Sequence, residues 1–457
     1  MIVVYNTLSG RKEPFEPIEK GRVKMYVCGL TVYDAPHIGH GRTFIGFDIV
    51  ARWLRACGYD VTYARNITDI EDRILNRAKE NGEKIDALTA RVTRVMHDDF
   101  RLLGIDEPDV EPRATQYVPQ MIALIERLKS RGLAYQSQSR DVNFSVRDLP
   151  GYGKLSKRSL DDMRAGERIE VDETKRDPFD FVLWKAAKDE EPPEAKWPSP
   201  WGPGRPGWHI ECSAMVMSIL GETIDIHGGG PDLIFPHHEN EIAQSEGATG
   251  KPFAKYWMHT GQLNIRGDKM GKSLGNFINI REASERYGTE ALRFFLVRSH
   301  YRSPIDFSEE LVGEAEAGLT RLYEALRRVP PDDKPLDKEE AFARRFAEAM
   351  DDDFNSAQAT AVLFELASEI NRGGSAALSR QLKRLGNILG ILEKDPLTRG
   401  KTAAGIDTAR IEALIAERNA ARARKDFAAS DRVRDELAAA GVVLQDEPGG
   451  KTSWRLK

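Results

Sequence analysis

Residues 23–30 read VKMYVCGL, residues 35–58 read APHIGHGRTFIGFDIVARWLRACG, and residues 61–66 read VTYARN. This run decides the fold. Val23 to Val27 is a short β-prone segment that stops at Cys28-Gly29. After a loop containing Pro36, Ile45, Ile49 and Trp53 recur every four residues, with Phe47, Val50 and Leu54 beside them. That is the spacing of an apolar helix face. Gly58 suits the end of the helix, and Val61-Thr62-Tyr63 opens a second strand. A strand–helix–strand unit of this kind implies a parallel α/β sheet with its ligand crevice at the strand C-termini, and Cys28 stands at such an end.

Working outward, residues 116–199 are loop-rich and finish near Pro192-Pro193 and the Trp/Pro/Gly stretch from Trp197 to Trp208. They predict an insertion between two halves of the sheet, residues 1–115 and 200–307. Beyond 308 the pattern turns helical, with Pro330-Pro331 as a hinge and Gly373-Gly374 as a turn. A helical bundle is expected over 308–398, and a small terminal module over 399–457 after the break at Gly400 to Gly405. The fold class is therefore α/β: a Rossmann-type parallel-sheet domain with an inserted connective region, then an α-helical bundle and a C-terminal module.

Composition narrows the function. The chain has 457 residues, 30% charged and 40% hydrophobic, which describes an ordinary globular protein. Lys+Arg 67 against Asp+Glu 72 gives a net charge of −5 and excludes wholesale basic wrapping of nucleic acid. A local basic face remains open. Residues 401–457 carry 11 Lys+Arg against 9 Asp+Glu, the right sign for an RNA-facing end. The apolar stretches are too short to span a bilayer, and the N-terminus lacks a signal-peptide layout. Three cysteines, Cys28, Cys57 and Cys212, make no disulfide framework, so a cytoplasmic protein is expected.

Three constellations carry chemistry. His37-Ile38-Gly39-His40 opens the first helix, where exposed N–H groups and two imidazoles favour phosphate. It is no dinucleotide fingerprint, because Phe44 occupies the third glycine position. Lys269-Met270-Gly271-Lys272-Ser273 ends like a P-loop, but the glycine that motif requires would fall at Arg266. What remains is a basic loop with two lysines in reach of a polyphosphate. Cys28, Cys212, His237 and Glu241 form a plausible tetrahedral Zn²⁺ set, with Pro236 in a first helical turn and His237 one turn before Glu241. His238 is a sterically possible substitute for His237. Cys57 falls outside any motif and is expected to be a packing residue.

The histidine and lysine motifs, taken together, resemble the signature pair of class I aminoacyl-tRNA synthetases. The strings MYVCGLTVYDAPHIGHGR, RNITDIEDRI, RPGWHIECSAM, DIHGGGPDLIFPHHENEIAQ and MDDDFN are similar to the cysteinyl-tRNA synthetases among them, nearly end to end. The resemblance implies activation of L-cysteine with ATP and Mg²⁺, followed by transfer to the 3′ end of tRNA(Cys). It makes His37, His40, Lys269 and Lys272 catalytic. ATP binding falls to the same histidines with Lys272 and the adenosine turn Gly228, Gly229, Gly230 and Asp232. One Zn²⁺ per chain would be held by Cys28, Cys212, His237 and Glu241, with Thr31, Thr68, Trp208 and His227 around the substrate cysteine. Gly271 replaces the first serine of the family's usual Lys-Met-Ser-Lys-Ser loop, which bears on the rate of loop closure. Anticodon contact is expected in the terminal module through Arg418, Arg422, Arg424, Lys425, Arg432 and Arg434, with an exposed Trp454 and Arg455 stacking on bases. A monomer with no membrane association is expected. The alternatives are a cysteine ligase of mycothiol synthesis, which shares the catalytic core, and a non-catalytic RNA-binding paralogue.

Overall fold

In the computed structural model, the structure describes residues 1–160, 173–265, 267–269, 277–397, 399, 408–424, 426–439, 441–446 and 452–456. The catalytic-type core is a parallel sheet of β1 (Arg22–Thr31), β2 (Asp60–Thr68), β3 (Ile224–Gly229) and β4 (Ala254–His259), in the order β4-β3-β1-β2. The inner strands are buried almost throughout, which is why they lack a clean polar alternation. Helix α1 (Ile38–Ala56) crosses from β1 to β2 and buries Phe44, Ile45, Phe47, Ile49, Val50, Trp53 and Leu54. Gly58 follows at φ 94, a left-handed turn that sends the chain into β2. The chain then crosses to the other side of β1 through α2 (Trp208–Ile219), β3, α3 (Glu239–Thr249) and β4. The strand order therefore reverses between β1 and β3, and the crevice opens there.

The insertion is a four-stranded antiparallel sheet of Ala134–Gln136, Val142–Phe144, Phe181–Ala186 and Gly204–Pro206. Its last strand runs past residue 199 and leads straight into α2. Four helices, Glu309–Arg328, Ala341–Asp351, Ser356–Asn371 and Ala376–Ile388, make the bundle. The terminal module packs helices Thr408–Ala423 and Phe427–Ala439 on the hairpin Val442–Asp446/Thr452–Leu456. It has its own small core of Ile411, Ile415, Val433, Leu437, Val442 and Trp454. Among the described residues, no helix is long and apolar enough to cross a membrane.

Buried arginines tie the bundle to α1. Arg42 donates to the carbonyls of Leu296, Ser299, His300 and Ser303, closing the turn that leads into strand Ile305–Phe307. On the far side of that turn, the fully buried carboxylate of Asp353 accepts from the Tyr5 N–H (2.8 Å), the Tyr301 hydroxyl (2.9 Å) and Arg302 Nε (2.6 Å). Arg293 donates to Asp48 Oδ2 of α1 at 2.5 Å and to the carbonyls of Leu103, Gly104 and Leu389. Arg293 is 1% and Asp48 2% exposed, so removing the guanidinium leaves a buried charge short of a partner. Arg293→Met is therefore expected to cost about 3–5 kcal/mol in the first urea transition. A loss under about 1 kcal/mol would show that the pair is not holding the bundle to α1.

Candidate active site and metal centre

β1 does not run straight into the crevice. Its pairing with β2 slips between Val27 and Leu30, a bulge that accommodates Cys28-Gly29. A Cβ on Gly29 would lie 1.6 Å from the Asn66 carbonyl oxygen, so only glycine fits there. Asn66 Oδ1 accepts the Gly29 N–H at 2.8 Å and fixes the bulge. Bulges of this kind re-aim a side chain next to a site. Here the Cys28 thiol comes to 3.7 Å from Cys212 Sγ on α2 and 3.3 Å from Glu241 Oε1 on α3.

His237 completes the group, with Nε2 at 3.0 Å from Glu241 Oε1. The ligand atoms of Cys28, Cys212, His237 and Glu241 all lie within 4.8 Å of one another, and all four residues are buried. Two sulfurs, one nitrogen and one carboxylate oxygen at that spacing fit a metal of the Zn²⁺ type. The local backbone differs from the expected helical turn at Pro236. The Phe235–Pro236 peptide is cis, Phe235 is extended, and α3 begins only at Glu239. His237 still precedes Glu241 by one turn because residues 236–238 already coil. His238 lies farther from Glu241 Oε1, at 3.9 Å, and its Nδ1 is taken by His259 Nε2 at 2.7 Å.

Electrostatics prepare the group for a cation. Hydrogen bonding from Cys28, helped by His237 and opposed by burial, lowers the Cys212 thiol to about 6. Burial opposes the charge on His237, but Glu241 and Cys212 outweigh it and raise the imidazole to about 10. Burial pushes the Cys28 thiol well up, reinforced by Cys212 and Glu241. The Glu241 carboxyl falls well below its usual range, because His227 and His237 outweigh its burial. The cluster thus shares protons that a divalent cation would displace.

A layer of histidines surrounds it, and sequence reading finds only part of that layer. His227 Nε2 donates to the Glu241 Oε2 carboxylate oxygen at 2.8 Å, and the ring stacks on Trp257 at 4.5 Å. His227 is fully buried, with its ring set against the Glu241 carboxylate. His209 Nδ1 meets His237 Nδ1 at 3.0 Å, while His259 links His238 to Thr7 Oγ1. His209 lies within the string RPGWHIECSAM without a role assigned from sequence, whereas His259 lies in none of the quoted strings. Trp208, 36% exposed, stacks on the His237 ring at 4.3 Å. Thr31 and Thr68 are register partners at the ends of β1 and β2.

The histidine motif opens α1, and the chain that follows the lysine motif returns beside it at Phe277. His37 is its N-cap: His37 Nδ1 accepts the His40 N–H, and His40 Nδ1 accepts the His37 N–H, each at 3.2 Å. The rings stack with centroids 3.6 Å apart. With both Nδ1 atoms accepting a backbone N–H, the orientation of each ring is fixed. Lys269 ends a strand paired with Leu263–Ile265. The chain is described again from Phe277, whose ring lies edge-on to His37 at 5.2 Å, and Ile278 O accepts the Ile38 N–H. Met270, Gly271, Lys272 and Ser273 lie outside the described residues. Of the glycine turn, Gly228 and Gly229 are set by packing: a Cβ would strike Phe47 at 2.3 Å and His238 at 2.8 Å. Gly230 and the exposed Asp232 face one another at the turn.

In the terminal module several expectations fail. Trp454 is 4% exposed, and its indole N–H donates to Glu412 at 2.7 Å. Alternation in the closing hairpin turns it into the small core. Arg418 is buried in a bidentate pair with Asp446, which also takes Arg422. Arg434 pairs with Asp431. The exposed aromatic of the module is Phe427, at 65%, and Arg424 and Arg432 are exposed as well. Lys425 and the Arg455 side chain lie outside the described residues. Cys57 is exposed at the C-cap of α1 instead of packed, because the cap position lies beyond the last buried turn.

Comparison with known proteins places this geometry. Residues 14–317 match the family "tRNA synthetases class I (C) catalytic domain", residues 345–393 the DALR domain, and residues 408–455 the cysteinyl-tRNA ligase anticodon binding domain. A cysteine–tRNA ligase of Cupriavidus pinatubonensis is 58% identical over 100% of this chain and 99% of its own. One from Burkholderia thailandensis is 57% identical, over 99% and 98%. Among solved structures, a Mycobacterium tuberculosis methionyl-tRNA synthetase aligns with TM-score 0.56 and 16% identity over 80% of this chain and 89% of that one. A LeuRS of Agrobacterium radiobacter K84 also reaches TM-score 0.56, at 12% identity, over 82% and 84%. The two solved structures share the fold; the two ligases share the sequence from one end to the other, and the chain belongs to the cysteinyl-tRNA synthetase family of class I aminoacyl-tRNA synthetases.

Proposed function

We infer that the buried thiol cluster, the paired histidines and the Lys269–Lys272 loop are the working parts of a cysteine–tRNA ligase. The observation that carries the reading is the juxtaposition of Cys28 and Cys212 with His237 and Glu241 at the end of β1, on the strand that leads to His37. In the first step the carboxylate of cysteine attacks the α-phosphorus of ATP in line and pyrophosphate leaves. In the second, the tRNA 3′-terminal ribose takes the cysteinyl group. The protein's task in both is positioning and charge stabilisation. His37 and His40 donate from Nε2 to phosphate oxygens, in an orientation fixed by their reciprocal caps. Lys269 and Lys272 neutralise charge on the departing pyrophosphate, which Mg²⁺ accompanies. Gly230 and Asp232 meet the adenosine, with the carboxylate suited to ribose hydroxyls. Zn²⁺ held by Cys28, Cys212, His237 and Glu241 would supply a soft centre that bonds a thiolate and neglects a hydroxyl, the discrimination shape alone fails to give between cysteine and serine. Trp208, Thr31 and Thr68 border the amino acid, while His227 and His209 hold Glu241 and His237 in place.

The module matched to an anticodon-binding domain favours tRNA as acceptor over an amino sugar. Phe427, exposed in the same module as the exposed Arg424 and Arg432, takes the base-stacking role in place of Trp454.

Elemental analysis is expected to find about one Zn²⁺ per chain. Cys212→Ser should lose both metal and cysteine affinity, while Cys57→Ser leaves metal content unchanged. A metal-free preparation of full activity would refute thiolate selection. Cysteine-dependent ATP–pyrophosphate exchange should proceed without tRNA and fall about 10²–10³-fold in Lys272→Ala, with cysteine binding retained. Wild-type protein that charges an amino sugar but not tRNA(Cys) would reverse the choice of acceptor. Phe427→Ala should raise the KM for tRNA(Cys) about tenfold or more and leave exchange unaltered, as loss of one stacking platform does. Unchanged tRNA kinetics would remove Phe427 from the interface.

A further inference from the structure

Glu211 is a carboxylate that the roles above leave unused. It lies on α2, next to Cys212 and three residues after Trp208, and it is 0% exposed. Among the described residues, neither carboxylate oxygen has a hydrogen-bond partner in the structure. Among the described residues, the groups that act most on it are Cys212, Asp69 and Glu71, all acidic, and the hydroxyl of Thr68. Thr68 Oγ1 already accepts from Asn66 Nδ2 at 3.2 Å. A buried carboxylate facing acids and one hydroxyl is costly unless a cation joins it.

The other carboxylates at this end of the crevice are committed. Asp69 accepts from the Thr115 N–H (2.9 Å) and hydroxyl (2.7 Å). Glu71 caps the next helix through the Arg73 N–H at 2.7 Å. Both oxygens of Glu241 are engaged, by His237 and Cys28 on one side and His227 on the other. Cysteine entering this site brings three functional groups. Its thiol belongs with Cys28 and Cys212, and its carboxylate belongs with the phosphates near His37. The α-ammonium then needs an anion close to the thiol site, on the side of Thr68.

We propose that Glu211 is the counter-charge for the α-ammonium of the substrate cysteine, with the Thr68 hydroxyl as the neutral partner beside it. The proposal rests on the reading of this crevice as the cysteine site. Three donors of an ammonium match the unfilled capacity of a carboxylate flanked by a hydroxyl. Glu211 would thereby select an α-amino acid among small thiols, a choice a thiol-binding metal alone does not make. The free-energy cost of the empty, buried carboxylate is recovered when substrate binds.

The test compares L-cysteine with 3-mercaptopropionate, which keeps thiol and carboxylate and lacks the amino group. Both are titrated by anaerobic calorimetry into the zinc-loaded full-length protein. Wild type should bind cysteine about 30-fold or more tighter than the desamino analogue. In Glu211→Gln this preference should collapse to less than about threefold, through loss of cysteine affinity with analogue affinity and zinc content nearly unchanged. Parallel loss of both ligands in Glu211→Gln would assign it a structural role and overturn the proposal. So would a wild-type preference below threefold, a result that stands even if the variant fails to fold. Removing zinc serves as the separate check: if neither ligand weakens, thiol recognition by metal is wrong while the Glu211 comparison still decides its own question.

Discussion

Glu241 has no contact with water, yet its carboxyl is held in the charged form. A buried charge of this kind costs several kcal/mol unless it is paired and hydrogen-bonded. Its partners come from three separate elements, His227 from β3, His237 from the turn before α3 and Cys28 from the bulge in β1, and Cys212 of α2 is linked to it through Cys28. Satisfying this one group therefore fixes where the second half of the sheet lies against the first. The insertion between them, residues long in sequence, is free to elaborate because the halves are already registered by the cluster and by the β1–β3 pairing.

The same strand positions the nucleotide end. Beyond the bulge, β1 ends at Thr31, and a short loop brings His37 to the start of α1. Because the two histidines cap the helix with their own side chains, their Nε2 atoms are oriented before any ligand arrives. Phe277 and Ile278 return the chain from the lysine loop to this same point. The thiol cluster, the paired histidines and the return of the chain at Phe277 are thus organised from one strand and one helix start.

Much of this was legible in the sequence. The four-residue spacing of Ile45, Ile49 and Trp53 gives α1, since amphipathic period is a local property. The grouping of Cys28, Cys212, His237 and Glu241 followed from motifs, and the fold brings their ligand atoms together. What stayed hidden depends on pairs distant in sequence. The bulge at Cys28-Gly29 arises from the approach of Asn66, and the structural use of Arg418 from Asp446 across the module. Trp454 looked exposed because a five-residue strand near a chain end has no visible partner, yet its register opposite Leu444 turns it inward.

Asp353 gives the family boundaries a different meaning. The catalytic match spans 14–317 and the DALR match begins at 345, yet the carboxylate of Asp353 is the acceptor for Tyr301 and Arg302 inside the first and for Tyr5 just ahead of it. Ser356 likewise donates to the Val297 carbonyl at 2.7 Å. Severing the chain between the two matches and removing the second would strand a buried N–H, a phenol and a guanidinium. Evolution can exchange the terminal module, whose core is self-contained, as a cassette. The bundle behaves instead as a keystone: homology draws a seam there, but cooperative unfolding does not follow it.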